Sequence, residues 1–135
     1  MDGVLLTKEE VIKNEKGDIF HFIKSTDEGF EKFGECYFST INQNEIKGWK
    51  LHKNMTMNLV VPKGKIKFVV YNSFQENFFE TILSNKNYFR LTIKNGLWVA
   101  FKGLESYNIL ANLASIQHDP DESINMDITK VKYNW

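Results

Sequence analysis

The sequence predicts an all-β domain, an antiparallel sandwich or barrel, on three observations. Aromatic residues make up 14% of the 135-residue chain, with eleven Phe and three Trp, and such side chains suit a pleated, half-buried surface. Short runs of alternating apolar and polar residues recur from end to end, while no long stretch carries a helical period. Turn-forming clusters punctuate those runs at regular spacing: NQNE at 42–45, PKG at 62–64, SNKN at 84–87, KNG at 94–96 and HDPDE at 118–122.

The elements follow in order. TKEEVIKNE (7–15) predicts a short N-terminal helical turn, with Thr7 as its cap and Glu10 three residues on. Strands are expected at DIFHFIK (18–24), GECYFSTI (34–41), KGWKLHK (47–53), MNLVV (57–61) and KIKFVVYN (65–72). Four more are expected at FFETILS (78–84), YFRLTI (88–93), LWVAFKG (97–103) and YNILANLA (107–114). No repeat, low-complexity segment or linker interrupts them, so residues 1–135 read as one domain, long enough to bury a core without staples.

Composition excludes several functions. Lys+Arg and Asp+Glu both number 17, which leaves no net charge to attract nucleic acid or an anionic membrane surface. Cys36 is the only cysteine, so no internal disulfide can form. The start, MDGVLLTKEEVIKNE, lacks the basic and apolar regions of a signal peptide, and no run approaches the length of a membrane-spanning helix. The expected location is the cytoplasm.

KGWKLHK concentrates the chemistry. In a regular strand Gly48, Lys50 and His52 share one face, and Trp49 and Leu51 share the other. Alternation alone permits the first face to be solvent, with ordinary charges, or the inside of a barrel. A lysine inside a pocket loses water, which favours its neutral form and lets it act as a base; it can equally hold an anionic oxygen.

A histidine-bearing strand, a Gly-turn hairpin, then a Gly turn leading into an aromatic strand is the layout of a cupin jelly roll, a double-stranded β-helix. From about Lys16 onward the chain resembles the dTDP-4-dehydrorhamnose 3,5-epimerase-like family, in which sugar-nucleotide 3,4-ketoisomerases are close relatives. GDIFHF resembles the family's D-x-R-G-x-F strand, and GECYFSTINQNEIKGWKLHK resembles the stretch leading into R-G-x-H-x-Q or R-G-x-H-x-H-K. LTIKNGLWVAFKG resembles I-P-x-G-x-x-H-G-F, and HDPDESINMDITKVKYNW resembles the closing D-P-x-x-x-I-x-W segment.

The resemblance implies metal-independent proton abstraction from a carbon beside a 4-keto group on a nucleotide-linked hexose. Such chemistry needs a base, a donor or cation for the enolate oxygen, and an acid. By position, the family's arginine corresponds to Lys47, its catalytic histidine to Lys50, and the ketoisomerases' second histidine to His52. Its enolate-side lysine falls near Met57 and Asn58, its second epimerase histidine on Val99, its tyrosine near Ala111 and Asn112, and its backing aspartate near Asp127. His52, Lys50 and Asp127 are therefore the candidate catalytic residues. Lys47, Glu35, Asn58, Asn112 and Trp98 are the candidate substrate contacts.

Each candidate has a plainer reading. Asp127 is equally a surface carboxylate, His21 a structural histidine between phenylalanines, and His118 a turn residue. Trp98, Tyr71, Phe68 and Phe101 read as core aromatics, with Trp98 the candidate for stacking on a nucleobase or sugar. Histidines at 21, 52 and 118 do not supply a two-His-plus-carboxylate set, so no metal and no cofactor is expected. The expected function is a 4-keto-hexose epimerase or isomerase of bacterial surface-polysaccharide synthesis, working as a homodimer. The alternative is a non-catalytic cupin that binds a sugar nucleotide or glycan precursor.

Overall fold

In the computed structural model, which describes residues 1–135 throughout, twelve strands build two five-stranded antiparallel sheets and a two-stranded ribbon. The strands are β1 (Val4–Lys8), β2 (Val11–Ile12), β3 (Ile19–Phe20), β4 (Glu35–Ile41), β5 (Ile46–His52) and β6 (Met57–Lys63). They continue with β7 (Lys65–Asn72), β8 (Asn77–Ser84), β9 (Phe89–Ile93), β10 (Trp98–Gly103), β11 (Asn108–Ala114) and β12 (Ser123–Asn125). One sheet has the order β1-β9-β6-β11-β4, the other β12-β5-β10-β7-β8, and β2 pairs with β3. β5 and β6 follow one another in sequence yet lie in opposite sheets, and so do β10 and β11. The chain therefore winds back and forth between two layers, which is the jelly-roll barrel of a cupin.

Eight of the nine expected strands coincide with β4 to β11 to within one or two residues. The N-terminal third differs. Residues 7–15 form no helical turn: Thr7 lies in β1 opposite Arg90 of β9, and Val11 and Ile12 pair with Phe20 and Ile19. The strand expected at 18–24 shrinks to Ile19–Phe20. The reason is tertiary. An open edge of β9 offers β1 a full ladder of backbone partners, which a two-turn helix on the surface could not match. Arg90, fully buried on the outer face of that sheet, then ties down the following segment through Glu9 at 3.0 Å and Asp27 at 3.1 Å.

The core lies between the sheets. Leu59, Val61, Leu91, Ile93 and Leu110 project from one side, and Ile66, Phe68, Val70, Leu83 and Val99 from the other. A second, smaller cluster lies behind the second sheet, where Trp49, Val69 and Ala100 are covered by residues of the C-terminal tail.

One irregularity decides which way β5 points. Val99 of β10 faces Lys50, but Phe101, two residues on, faces Lys47, so β5 contributes three residues to a two-residue step. This is a β-bulge centred on Gly48, which adopts φ +142°, a conformation that residues with a side chain rarely take. A Cβ at Gly48 would also collide with Ala100. The bulge turns Lys47 onto the same side as Lys50, whereas uninterrupted alternation would have sent the two to opposite faces.

Candidate active site

The inner faces part toward one end of the barrel and leave an open pocket of about 470 Å³. Lys47, Lys50 and His52 of β5 form one wall, with Val99 and Phe101 of β10, Phe68 of β7 and Asn125 of β12. The facing wall consists of Tyr37 and Ser39 of β4, Met57 and Leu59 of β6, and Leu110 of β11. Apolar side chains shared with the core form much of this lining, and the polar groups come chiefly from β5 and β4. A largely dry wall with a few convergent polar groups is the usual construction of a small-molecule site.

His52 is 8% exposed, and its Nδ1 is hydrogen-bonded to Oε1 of Glu122, a residue that is itself 4% exposed. The second carboxylate oxygen of Glu122 accepts from the backbone amides of Asn54 at 3.1 Å and Met55 at 3.3 Å. Burial pushes the Glu122 carboxyl upward, but the hydrogen bonds from His52, Asn54 and Met55 outweigh it and hold the group below its ordinary value. The ionised Glu122 can only accept, so the proton of this hydrogen bond sits on Nδ1 of His52 and the other ring nitrogen, Nε2, points away from the carboxylate. Nε2 is the ring nitrogen left for a ligand.

Glu122 reaches His52 because β12 lies beside β5, with Ser123 opposite His52 and Asn125 opposite Lys50. The Lys53 amide also donates to the Glu122 carbonyl at 2.7 Å, and Asp119 caps the 3-10 turn from Pro120 to Glu122. Glu122 is thus fixed from both sides, by the pairing of its backbone and β12 with β5 and by the capped turn before it.

The structure brings together Lys47, Lys50 and His52 of the sequence-derived candidates. Lys47 lies at the pocket with its Nζ donating to the Thr40 carbonyl at 2.6 Å, and Lys50 is exposed toward the opening. Asn112 stands one layer behind: its Nδ2 donates to the Tyr37 hydroxyl at 2.9 Å, and its Oδ1 accepts from the Asn58 amide at 3.1 Å.

The other candidates lie elsewhere. Asp127 does not meet His52; it is exposed and caps the 3-10 turn at Ile128–Lys130, accepting from the Thr129 amide at 2.9 Å. Those bonds with Thr129 lower its carboxyl from the ordinary value. Trp98 packs on the outer cluster around Trp49, because its neighbours Val99 and Leu97 take the inner face. Asn58 turns away from the pocket residues Met57 and Leu59 and is consumed by Gly29 and Thr92. Glu35 lies at the far end of β4, where it accepts from the His118 amide at 2.7 Å.

Two residues were missed. Tyr37 is within reach of sequence reasoning, since it shares strand parity with Glu35, itself a candidate substrate contact. Glu122 carries no such signal: it sits in a turn, 70 residues from His52, ahead of a three-residue strand with no alternating pattern.

A jelly-roll barrel with a buried histidine–carboxylate pair on the wall of an open pocket defines a cupin equipped for acid–base chemistry. No group of three or more His, Cys, Asp or Glu side chains converges in a way that could hold a metal ion. The chain belongs to the FdtA family, described as WxcM-like, C-terminal, whose model matches residues 3–132. No curated protein matches it in sequence. Among solved structures, a dTDP sugar isomerase from Desulfovibrio desulfuricans G20 superposes with a TM-score of 0.93 at 28% identity, covering 99% of this chain and 91% of the other. A 3,4-ketoisomerase from Thermoanaerobacterium thermosaccharolyticum, solved with TDP-4-keto-6-deoxyglucose, gives 0.80 at 20% identity, covering 92% and 88%. A dTDP-4-dehydrorhamnose 3,5-epimerase from Sulfolobus tokodaii gives 0.87 at 19% identity, covering 98% and 82%. The fold is that of the sugar-nucleotide isomerases and epimerases. No helix is long and apolar enough to cross a membrane.

Proposed function

We propose that this protein is a sugar-nucleotide isomerase or epimerase that moves a proton on a carbon beside a 4-keto group of a nucleotide-linked hexose. The observation that carries the reading is the buried His52–Glu122 pair with Nε2 free in an open pocket. Nε2 of neutral His52 takes the proton from the carbon, and the C–H electron pair moves into the carbonyl to give an enolate. The ammonium of Lys50, two residues away on the same wall, stabilises the enolate oxygen. Tyr37 stands on the facing wall with its oxygen accepting from Asn112, which leaves its O–H to point into the pocket. The enolate takes back one proton only: Tyr37 supplies it from the facing wall in an epimerisation, giving up its own O–H proton and becoming a phenolate, whereas in an isomerisation the protonated His52 returns it from its own side. Lys47 at the pocket and the apolar lining take up the nucleoside diphosphate.

Support also comes from family membership and from the solved dTDP-sugar isomerase at 28% identity. By extension we place the protein, as a homodimer, in the supply of modified sugars for surface glycans. A second reading, a non-catalytic binder of sugar nucleotides, is favoured by one feature. Lys50 stands where the family resemblance puts a histidine, and the chain's single arginine, Arg90, is buried away from the pocket.

Incubation with TDP-4-keto-6-deoxyglucose in deuterated water, followed by mass spectrometry, decides between them. Deuterium beside the ketone, absent in His52→Ala, is the expected result. Binding of several 4-keto sugar nucleotides with no incorporation in any would replace the enzyme by the binder.

A further inference from the structure

The C-terminal tail does more than close the barrel. Trp49 and Met126 exchange both backbone hydrogen bonds, at 3.0 and 2.9 Å, directly after β12 has paired with His52 and Lys50. Beyond that point the chain crosses the outer face of the β5-containing sheet, back to back with the pocket. There Trp135 packs on Trp49 with ring centroids 5.9 Å apart, and Tyr133 packs edge-on against Trp135 at 5.0 Å. The Tyr133 hydroxyl donates to Glu80 of β8, and Lys67 of β7 lies over its ring at 4.9 Å from the centroid. The indole of Trp49 is 1% exposed and its Nε1 has no hydrogen-bond partner, so nothing polar holds this ring; packing alone does.

Two consequences meet on one three-residue strand. β12 is held on one side by β5 and has no strand on its other side, so its pairing alone gives it little stability. Yet Glu122, immediately before it, is the group that sets the tautomer of His52. We propose that Trp135 and Tyr133 are positioning residues for the pocket: by clamping the tail on Trp49 they hold β12 in register and Glu122 on His52. This inference rests on the reading of His52 as the acid–base group for its catalytic meaning, but the geometric claim stands without it.

The test reads the histidine directly. In proton NMR of the full chain, labelled with 15N at histidine, the wild-type protein is expected to give a strongly deshielded Nδ1–H signal from His52, assigned by its loss in His52→Gln. Trp135→Ala is expected to lose that signal or move it upfield, Trp135→Phe to restore it, and Tyr133→Ala to act in the same direction more weakly. The dispersed amides of β6 and β9 report that the barrel is intact. A folded Trp135→Ala protein with the His52 signal unchanged would overturn the proposal. Should Trp135→Ala not fold, an unchanged signal in folded Tyr133→Ala overturns it equally.

Activity separates the two claims. If wild-type protein incorporates deuterium, Trp135→Ala should reduce kcat about tenfold with a smaller change in KM, because the walls from β4, β5, β6, β10 and β11 stay in place and only Asn125 of β12 shifts, while the base loses its orientation. If wild-type protein incorporates none, the catalytic reading fails and the NMR result still decides the clamp.

Discussion

Replacing Glu122 by glutamine separates the structural from the chemical role of the His52 partner. Glu122 accepts three hydrogen bonds, from His52 Nδ1 and from the amides of Asn54 and Met55. Truncation to alanine would strand a buried imidazole and the amide of buried Met55, while exposed Asn54 could turn to water. Each buried group left without its partner costs about 1–3 kcal/mol. Glutamine keeps the shape, and its carbonyl oxygen can still accept from the two amides, so the stability loss should be only about 1–2 kcal/mol. The chemistry should suffer far more. A carboxamide NH₂ aimed at Nδ1 makes that nitrogen the acceptor and moves the ring proton to Nε2, where it blocks the lone pair that must take the substrate proton. Loss of a general base lowers the rate by about 100- to 10,000-fold. Urea unfolding measures the first effect, and deuterium incorporation from the solvent, with substitution of exposed Glu15 by alanine as a control of unchanged rate, measures the second. Exchange at the wild-type rate in Glu122→Gln would refute the assignment of Glu122 as the group that sets the tautomer.

The remaining predictions concern stability. Gly48→Ala must place a Cβ at φ +142° and against Ala100, so it should cost about 2–5 kcal/mol and, on the proposed function, weaken binding of a nucleotide sugar by turning Lys47 from the pocket; a urea midpoint within experimental error of wild type would disprove the bulge. The lowered Glu122 carboxyl contributes stability that is fully present above the ordinary glutamate value of about 4.3 and is lost as pH falls through its folded value. The stability gap between wild type and Glu122→Gln should therefore be constant near neutrality and narrow in acid; a gap that widens in acid would contradict the direction of the shift.

Much of the fold was legible because eight strands carry their own alternation and their own turn residues. Lys50 and His52 share a face by strand geometry alone, and family resemblance made that face the inner one. Failure was concentrated where local pattern is weakest. Residues 7–15 have the composition of a helical turn and become strand because β9 has an open edge to fill. Trp98 and Asn58 each sit one residue from a true pocket residue, and a one-residue error in a strand reverses the face.

By itself the sequence determined the all-β class and the strand that bears the candidate base, since period-two patterning and turn chemistry are local properties. Only the tertiary structure decided which carboxylate serves His52 and whether Lys47 joins Lys50. Glu122 arrives across 70 residues through β12, and Lys47 turns inward through a bulge that is set by the register of β5 against β10. Both are pairings between distant strands, and register between distant strands is a property of packing that no local run of residues encodes.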